Sequence, residues 1–267
     1  MVTFTSNALI GLILSFIWPL TRILGMIVIA PPFGNSTVPV QVKLVLGIML
    51  AMIVAPTIPA LDVADPLSLT GIMILSQQFV IGIAMGFVIR VIFSGIEMAG
   101  EVIGLTMGLG FASFFDPQTQ GRTNAISQFL VLVATLLFVT MNVHLSMLAT
   151  LVESFTTIPI STSLTTGFNF QRLAIWGEQI FIYGMRLSLP IVAALLITNI
   201  ALGILTRAAP QLNLFGIGFP ITIGVGFLMV GLILPYLMLP IETMFRQSIE
   251  AVQSLSLQPP PAVPIPR

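Results

Sequence analysis

Few residues in this chain are of a type that does chemistry, and their spacing keeps them apart. The carboxylates Asp62, Asp65, Asp116, Glu153, Glu178, Glu242 and Glu250 are scattered, so no pair is set up for general acid–base work. Asp62 and Asp65 fall in a Pro-flanked turn, as solvated groups. Cysteine is absent, which removes disulfides, thiolate metal sites and thiol nucleophiles together. The one histidine, His144, cannot build a His-rich metal site. Its place after Asn142-Val143, near a helix end or bend, suits it to hydrogen bonding. No Gly-rich phosphate loop, zinc motif or nucleophile elbow is present. The expectation is a protein that is not an enzyme and holds no cofactor or metal.

Two constellations remain. Projected at 100° per residue, Arg90, Ser94, Glu97 and Glu101 fall in one narrow stripe of a helix, with Gly82, Gly86, Gly100, Gly104 and Gly108 on or beside it. Charged groups at membrane depth face protein or water, and small residues four apart let helix backbones approach closely. The stripe therefore reads as a buried polar seam, either inside this chain or against another subunit. Within it Glu97 and Glu101 serve as ion-pair partners of Arg90 or as a proton relay. The second constellation is Met107-Gly-Leu-Gly-Phe-Ala-Ser-Phe-Phe-Asp-Pro-Gln-Thr-Gln-Gly121. Its Phe111, Phe114 and Phe115 precede a turn at Asp116-Pro117. Such a cluster either packs at a helix end or closes a pore sterically and by dewetting.

The elements that must position these groups belong in a membrane. Hydrophobic residues make up 57% of the 267 and charged ones only 7%, against about 25% charged in soluble domains, so the charges cannot coat a water-soluble body. Spans of about 20 apolar residues are expected at Ala8–Ala30, Val40–Ala55, Leu67–Phe93, Ile126–Leu151, Ile175–Leu205 and Phe215–Pro240. The first is too long for a signal-peptide core and reads as a retained helix. Helices are favoured over a barrel because period-two alternation is missing. In the third segment apolar character runs on to about Ala112. Either the chain reverses near Ser94-Gly95, or one long bent helix extends beyond the bilayer. Residues 1–250 read as one all-α membrane domain, and 251–267 as a proline-rich, disordered tail. Zero net charge gives no footprint for nucleic acid. Nine dispersed Lys and Arg residues set no clear orientation.

Several stretches, in order, resemble the FliR family of the flagellar type III export gate. They are Phe16-Ile-Trp-Pro-Leu-Thr-Arg22, Ala30-Pro31, Val38-Pro39 with Val42-Lys43-Leu44, and Gly47-Ile48-Met49. The likeness continues through Gly100-Glu101-Val-Ile-Gly-Leu-Thr-Met-Gly108, Phe111-Ala-Ser-Phe114 with Asp116-Pro117, Ala209-Pro210-Gln211-Leu212 and Gly218-Phe219-Pro220. They cover about residues 10–240 and leave the tail outside. The resemblance implies helical hairpins packed into a hetero-oligomeric core, with one copy of this chain beside several FliP and FliQ subunits. It implies FlhB and FlhA as further partners, in the inner membrane and flagellar basal body, with much of the core lifted toward the periplasm. Unfolded flagellar subunits would thread the channel. The family's plug maps onto about Gly108–Arg122, with Phe111 and Phe114 as its obstructing aromatics and Met107 and Phe115 beside them. Use in an injectisome is an alternative, as is a secondary transporter with Arg90, Glu97 and Glu101 along its path.

Overall fold

The computed structural model describes residues 6–58, 68–111, 124–160, 169–209 and 217–255, the side chains of 6–15 and 111 excepted. Among these residues the chain is all-α, as the sequence predicts. Its helices are α1 (Ser6–Ile29), α2 (Val40–Val54), α3 (Leu69–Met107), α4 (Ala125–Thr140), α5 (Val143–Thr157), α6 (Phe170–Trp176), α7 (Gln179–Ala208), α8 (Phe219–Ile233) and α9 (Met238–Ser254).

The open choice in the third segment falls to a single helix. α3 runs unbroken for 39 residues, about 58 Å at 1.5 Å per residue, nearly twice a hydrocarbon core of roughly 30 Å. It starts where the Ser68 hydroxyl accepts from Gly71 N at 3.0 Å. It stops at Gly108, whose φ of +87° suits a residue without a Cβ. The fourth segment, expected as one span, is two helices. Thr140 ends α4, and Asn142 takes a left-handed φ of 56°, a conformation Asn tolerates better than most residues. His144 then lies in the first turn of α5. The fifth segment begins earlier than expected, with short α6 ahead of α7. α9 was not among the expected apolar segments, and it continues past 250 to Ser254. It is amphipathic, burying Ile241, Met244, Phe245 and Val252 while Thr243, Arg246, Gln247 and Glu250 face outward.

Four helical stretches are long and apolar enough to cross a membrane: Val40–Thr57, Leu69–Met107, Phe170–Ala208 and Phe219–Tyr236. The α4–α5 pair makes a fifth if counted as one broken span. α3 is mostly buried, whereas α2, α7 and α8 carry apolar side chains outward, with Ile53 and Ile197 each 70% exposed. Soluble proteins rarely present apolar patches on this scale.

The chain forms two compact units, and the boundary falls within α3 between Arg90 and Val91. One unit gathers α1, α2, α3 up to Arg90, α5, α6 and the part of α9 from Arg246. Trp18, Ile23, Met26, Ile27, Ile74 and Ile81 are buried in it. The other gathers α3 from Val91, α4, α7, α8 and α9 up to Phe245. Its core holds Phe93, Phe138 and Phe245, with ring centroids 5.5 to 5.8 Å apart in tilted and edge-on pairs. Such geometry sets the positive ring edge against a negative ring face.

Candidate functional site

In the first unit the most strongly organised polar group is Arg22, from the middle of α1. Its side chain is 0% exposed, yet it meets no carboxylate among the described residues. Nε donates to Gln78 Oε1 of α3 at 2.8 Å, and Nη2 donates to the same oxygen. Nη1 donates to Ser154 O at 2.8 Å and Ser154 Oγ at 3.0 Å, and Nη2 also donates to Ile158 O at 2.9 Å. Ser154 and Ile158 lie at the C-terminal end of α5, where carbonyls lose their helical partners and the macrodipole is negative. Arg22 therefore caps α5 from another helix, and its guanidinium carbon lies 4.2 Å from the centre of the Phe155 ring. α1 approaches α3 closely enough for this because of two glycines. A Cβ at Gly82 would strike the Arg22 carbonyl, and one at Gly86 would lie 2.8 Å from Met26 O.

The second unit holds the other glycines of the stripe. Asn124 caps α4 by accepting from Ile126 N at 2.8 Å and Ser127 N at 3.2 Å. Its own N donates to Glu101 Oε1 at 3.0 Å, and its Nδ2 donates to Gly100 O at 3.0 Å and Glu101 Oε2 at 3.3 Å. The Ser127 hydroxyl donates to Glu97 O at 2.9 Å. A Cβ at Gly100 would collide with Ser127 backbone, and one at Gly104 with the Asn124 amide. Glu101 thus places negative charge at the positive end of α4. Glu97 and Glu101 are half-buried and Arg90 is exposed. Among the described residues Arg90 makes no ion pair with either.

At the end of α3, Met107 is fully buried. Its side chain fills the space a Cβ would need at Gly226 of α8, 2.5 Å from Met107 Cγ. Phe111 ends a 3-10 turn, Leu109–Phe111, and its side chain lies outside the described residues, as do Phe114 and Phe115. No three His, Asp or Glu side chains among the described residues group as metal ligands. Nothing in the sequence warned of the contacts at Asn124, Ser127 and Gly226, whereas Arg22 left a signal that went unused. Its signal was a lone arginine inside an apolar helix, a placement that demands buried partners.

Long apolar helices, glycine-mediated backbone contacts and caps between helices define a multi-helix membrane protein. A profile of the family described as bacterial export proteins, family 1, matches residues 13–248, and the chain belongs to that family. It is 40% identical to the flagellar biosynthetic protein FliR of Pectobacterium carotovorum subsp. carotovorum, over 97% of this chain and 98% of that one. It is 38% identical to FliR of Escherichia coli K12, over 92% and 94% of the two chains. With FliR of Bacillus subtilis 168 the identity is 28%, over 93% and 97%.

Proposed function

We propose that this chain is a non-enzymatic core subunit of the flagellar protein export gate, forming part of a channel for unfolded flagellar subunits. The observation that carries the reading is likeness to FliR proteins along nearly their whole length. In this reading one copy assembles with several FliP and FliQ subunits in the inner membrane and basal body, with FlhB and FlhA as neighbours and much of the core at periplasmic level. Outward apolar side chains on α2, α7 and α8 support it, because they need a covering of protein or lipid. Arg90 and Glu97 are then free to meet charges on a neighbouring subunit.

Closure falls to the segment after Gly108. Phe111 and Phe114, with Phe115 beside them, obstruct the resting channel, and buried Met107 ends the helix that precedes them. Apolar side chains at a constriction exclude water and so block ion leakage. Energy for export comes from other components.

The test is the native mass of the complex purified through a tag on this chain and co-expressed with its FliP- and FliQ-type partners. One copy of this chain with several of each partner is expected; a stable monomer or homo-oligomer despite partner expression overturns the assignment. In the assembled complex, Phe111→Ala with Phe114→Ala is expected to raise ion leakage. Leakage at background overturns the plug.

A further inference from the structure

The last turn of α3 is held by α8 through a hydroxyl that lies within reach of two carbonyls. Met107 O lies where helix carbonyls lose their intrahelical N–H partners. Thr222 Oγ1 is 3.1 Å from that oxygen and 3.0 Å from Phe219 O, one turn earlier in its own helix. A threonine hydroxyl has one proton, shared between these two carbonyls or given wholly to either, so it can leave α3 by falling back onto Phe219. When it falls back no buried donor is orphaned, the event that makes most buried hydrogen bonds costly to open. The freed carbonyl belongs to a residue lining a cavity of about 370 Å³, with Thr106, Gly108, Asn199, Leu202 and Phe219 among its walls. A space of that size holds water to replace the lost bond. Packing reinforces the closed state. Met107 occupies the notch at Gly226, and Phe219 lies over Gly108, where a Cβ would stand 2.8 Å from the ring.

We propose that Thr222 and Gly226 form a reversible latch on the end of α3, as positioning residues that fix where the chain leaves the helix after Gly108. The link from latch to channel rests on the plug reading above. Release of Thr222 frees the last turn of α3 and with it the base of the obstructing segment.

The test uses the assembled hetero-oligomer, with copy ratio checked for each variant and two readouts. One is hydrogen exchange in a peptide covering residues 104–110, which includes the Gly108 N–H bonded to Leu105 O at 3.0 Å. The other is ion leakage from liposomes holding the complex. Thr222→Val keeps the shape and loses the donor, so exchange is expected to rise about fivefold, the shift that loss of one such hydrogen bond produces. Thr222→Ser keeps the donor and is expected to exchange like the parent. Gly226→Ala, which displaces Met107 by another route, is expected to raise exchange as well. Parent-like exchange in both the Val and Ala variants overturns the latch. Raised exchange at background leakage, while Phe111→Ala with Phe114→Ala leaks, overturns its link to the channel and leaves the plug standing. Raised exchange with no leakage even in the phenylalanine variant removes the plug and leaves the latch.

Discussion

Replacing Arg22 by Met removes five donated hydrogen bonds from the first unit. Charge-assisted bonds contribute about 1.5–3 kcal/mol each, and burying the cation costs several kcal/mol. The terms are opposite in sign, and summed over the five bonds the first at least matches the second, so exchanging the cation for Met is not itself stabilising. What remains is the set of acceptors left behind. Ser154 O still accepts from Ile158 N at 2.9 Å, and the Ser154 hydroxyl still donates to Leu151 O at 2.6 Å. Gln78 Oε1 and Ile158 O lose their donors. At about 1–3 kcal/mol per buried orphan, Arg22→Met destabilises by about 2–6 kcal/mol. The double variant sharpens the test, because Gln78 Nε2 is already buried without an acceptor among the described residues. Adding Gln78→Leu removes that amide and one orphaned oxygen. The double variant is then more stable than Arg22→Met by about 1–3 kcal/mol. Arg22→Lys lies between parent and Met, since an ammonium cannot span Gln78 and Ile158 as a planar fork does. Equilibrium unfolding in mixed micelles measures all four. A single variant within about 0.5 kcal/mol of the parent, or a double no better than the single, refutes the capping argument.

Two further outcomes follow from contacts along α3. Gly82→Ala sets a methyl against the Arg22 carbonyl, backbone that has no rotamer to change. Overpacking of this kind costs about 1–3 kcal/mol, and cross-linking between α1 and α3 in this naturally cysteine-free chain should report the separation. Glu101→Leu takes the acceptor from Asn124 N and one of two from Asn124 Nδ2, which keeps Gly100 O. The first turn of α4 loosens by about 1–2 kcal/mol, seen as faster exchange at Ile126 and Ser127, whereas Glu101→Gln keeps an acceptor and most of the protection.

The helix content and the approximate ends of α1, α2 and α7 were legible because apolar length and proline punctuation record them directly. The continuity of α3 was not. Ser94-Gly95 carries the composition of a turn, but Gly95 is there for packing: a Cβ would lie 3.0 Å from Tyr183 Cβ on α7. Local sequence cannot separate a glycine that bends a chain from one that admits a neighbour. The break at Asn142 was hidden for the opposite reason, since the apolar pattern runs straight through it and only the backbone angle marks the stop. Arg22 was overlooked because its partners lie 56 to 136 residues away. The stripe from Arg90 to Glu101 assigned a shared helix face, but a projection cannot tell which neighbour covers it. Glu101 meets the end of α4 instead of Arg90.

What covers the outward apolar faces of α7 and α8 can be decided from three glycines. A Cβ added at Gly203, Gly224 or Gly231 meets nothing within 4 Å among the described residues, so packing among those residues does not require any of the three. A glycine within a helix costs about 0.5–1 kcal/mol relative to alanine. Against lipid tails that cost has no return, because leucine faces hydrocarbon as well as any residue. Against a neighbouring helix it does, since a missing side chain lets backbones approach and gain dispersion contacts. Gly224→Leu and Gly231→Leu should therefore each leave the fold of this chain intact, judged by protease resistance in micelles, while lowering recovery of the partner subunits proposed above. Full recovery in both variants would mean that lipid, not protein, covers this face, and the assembly proposed above would then have to use α2 and the outer side of α4 instead.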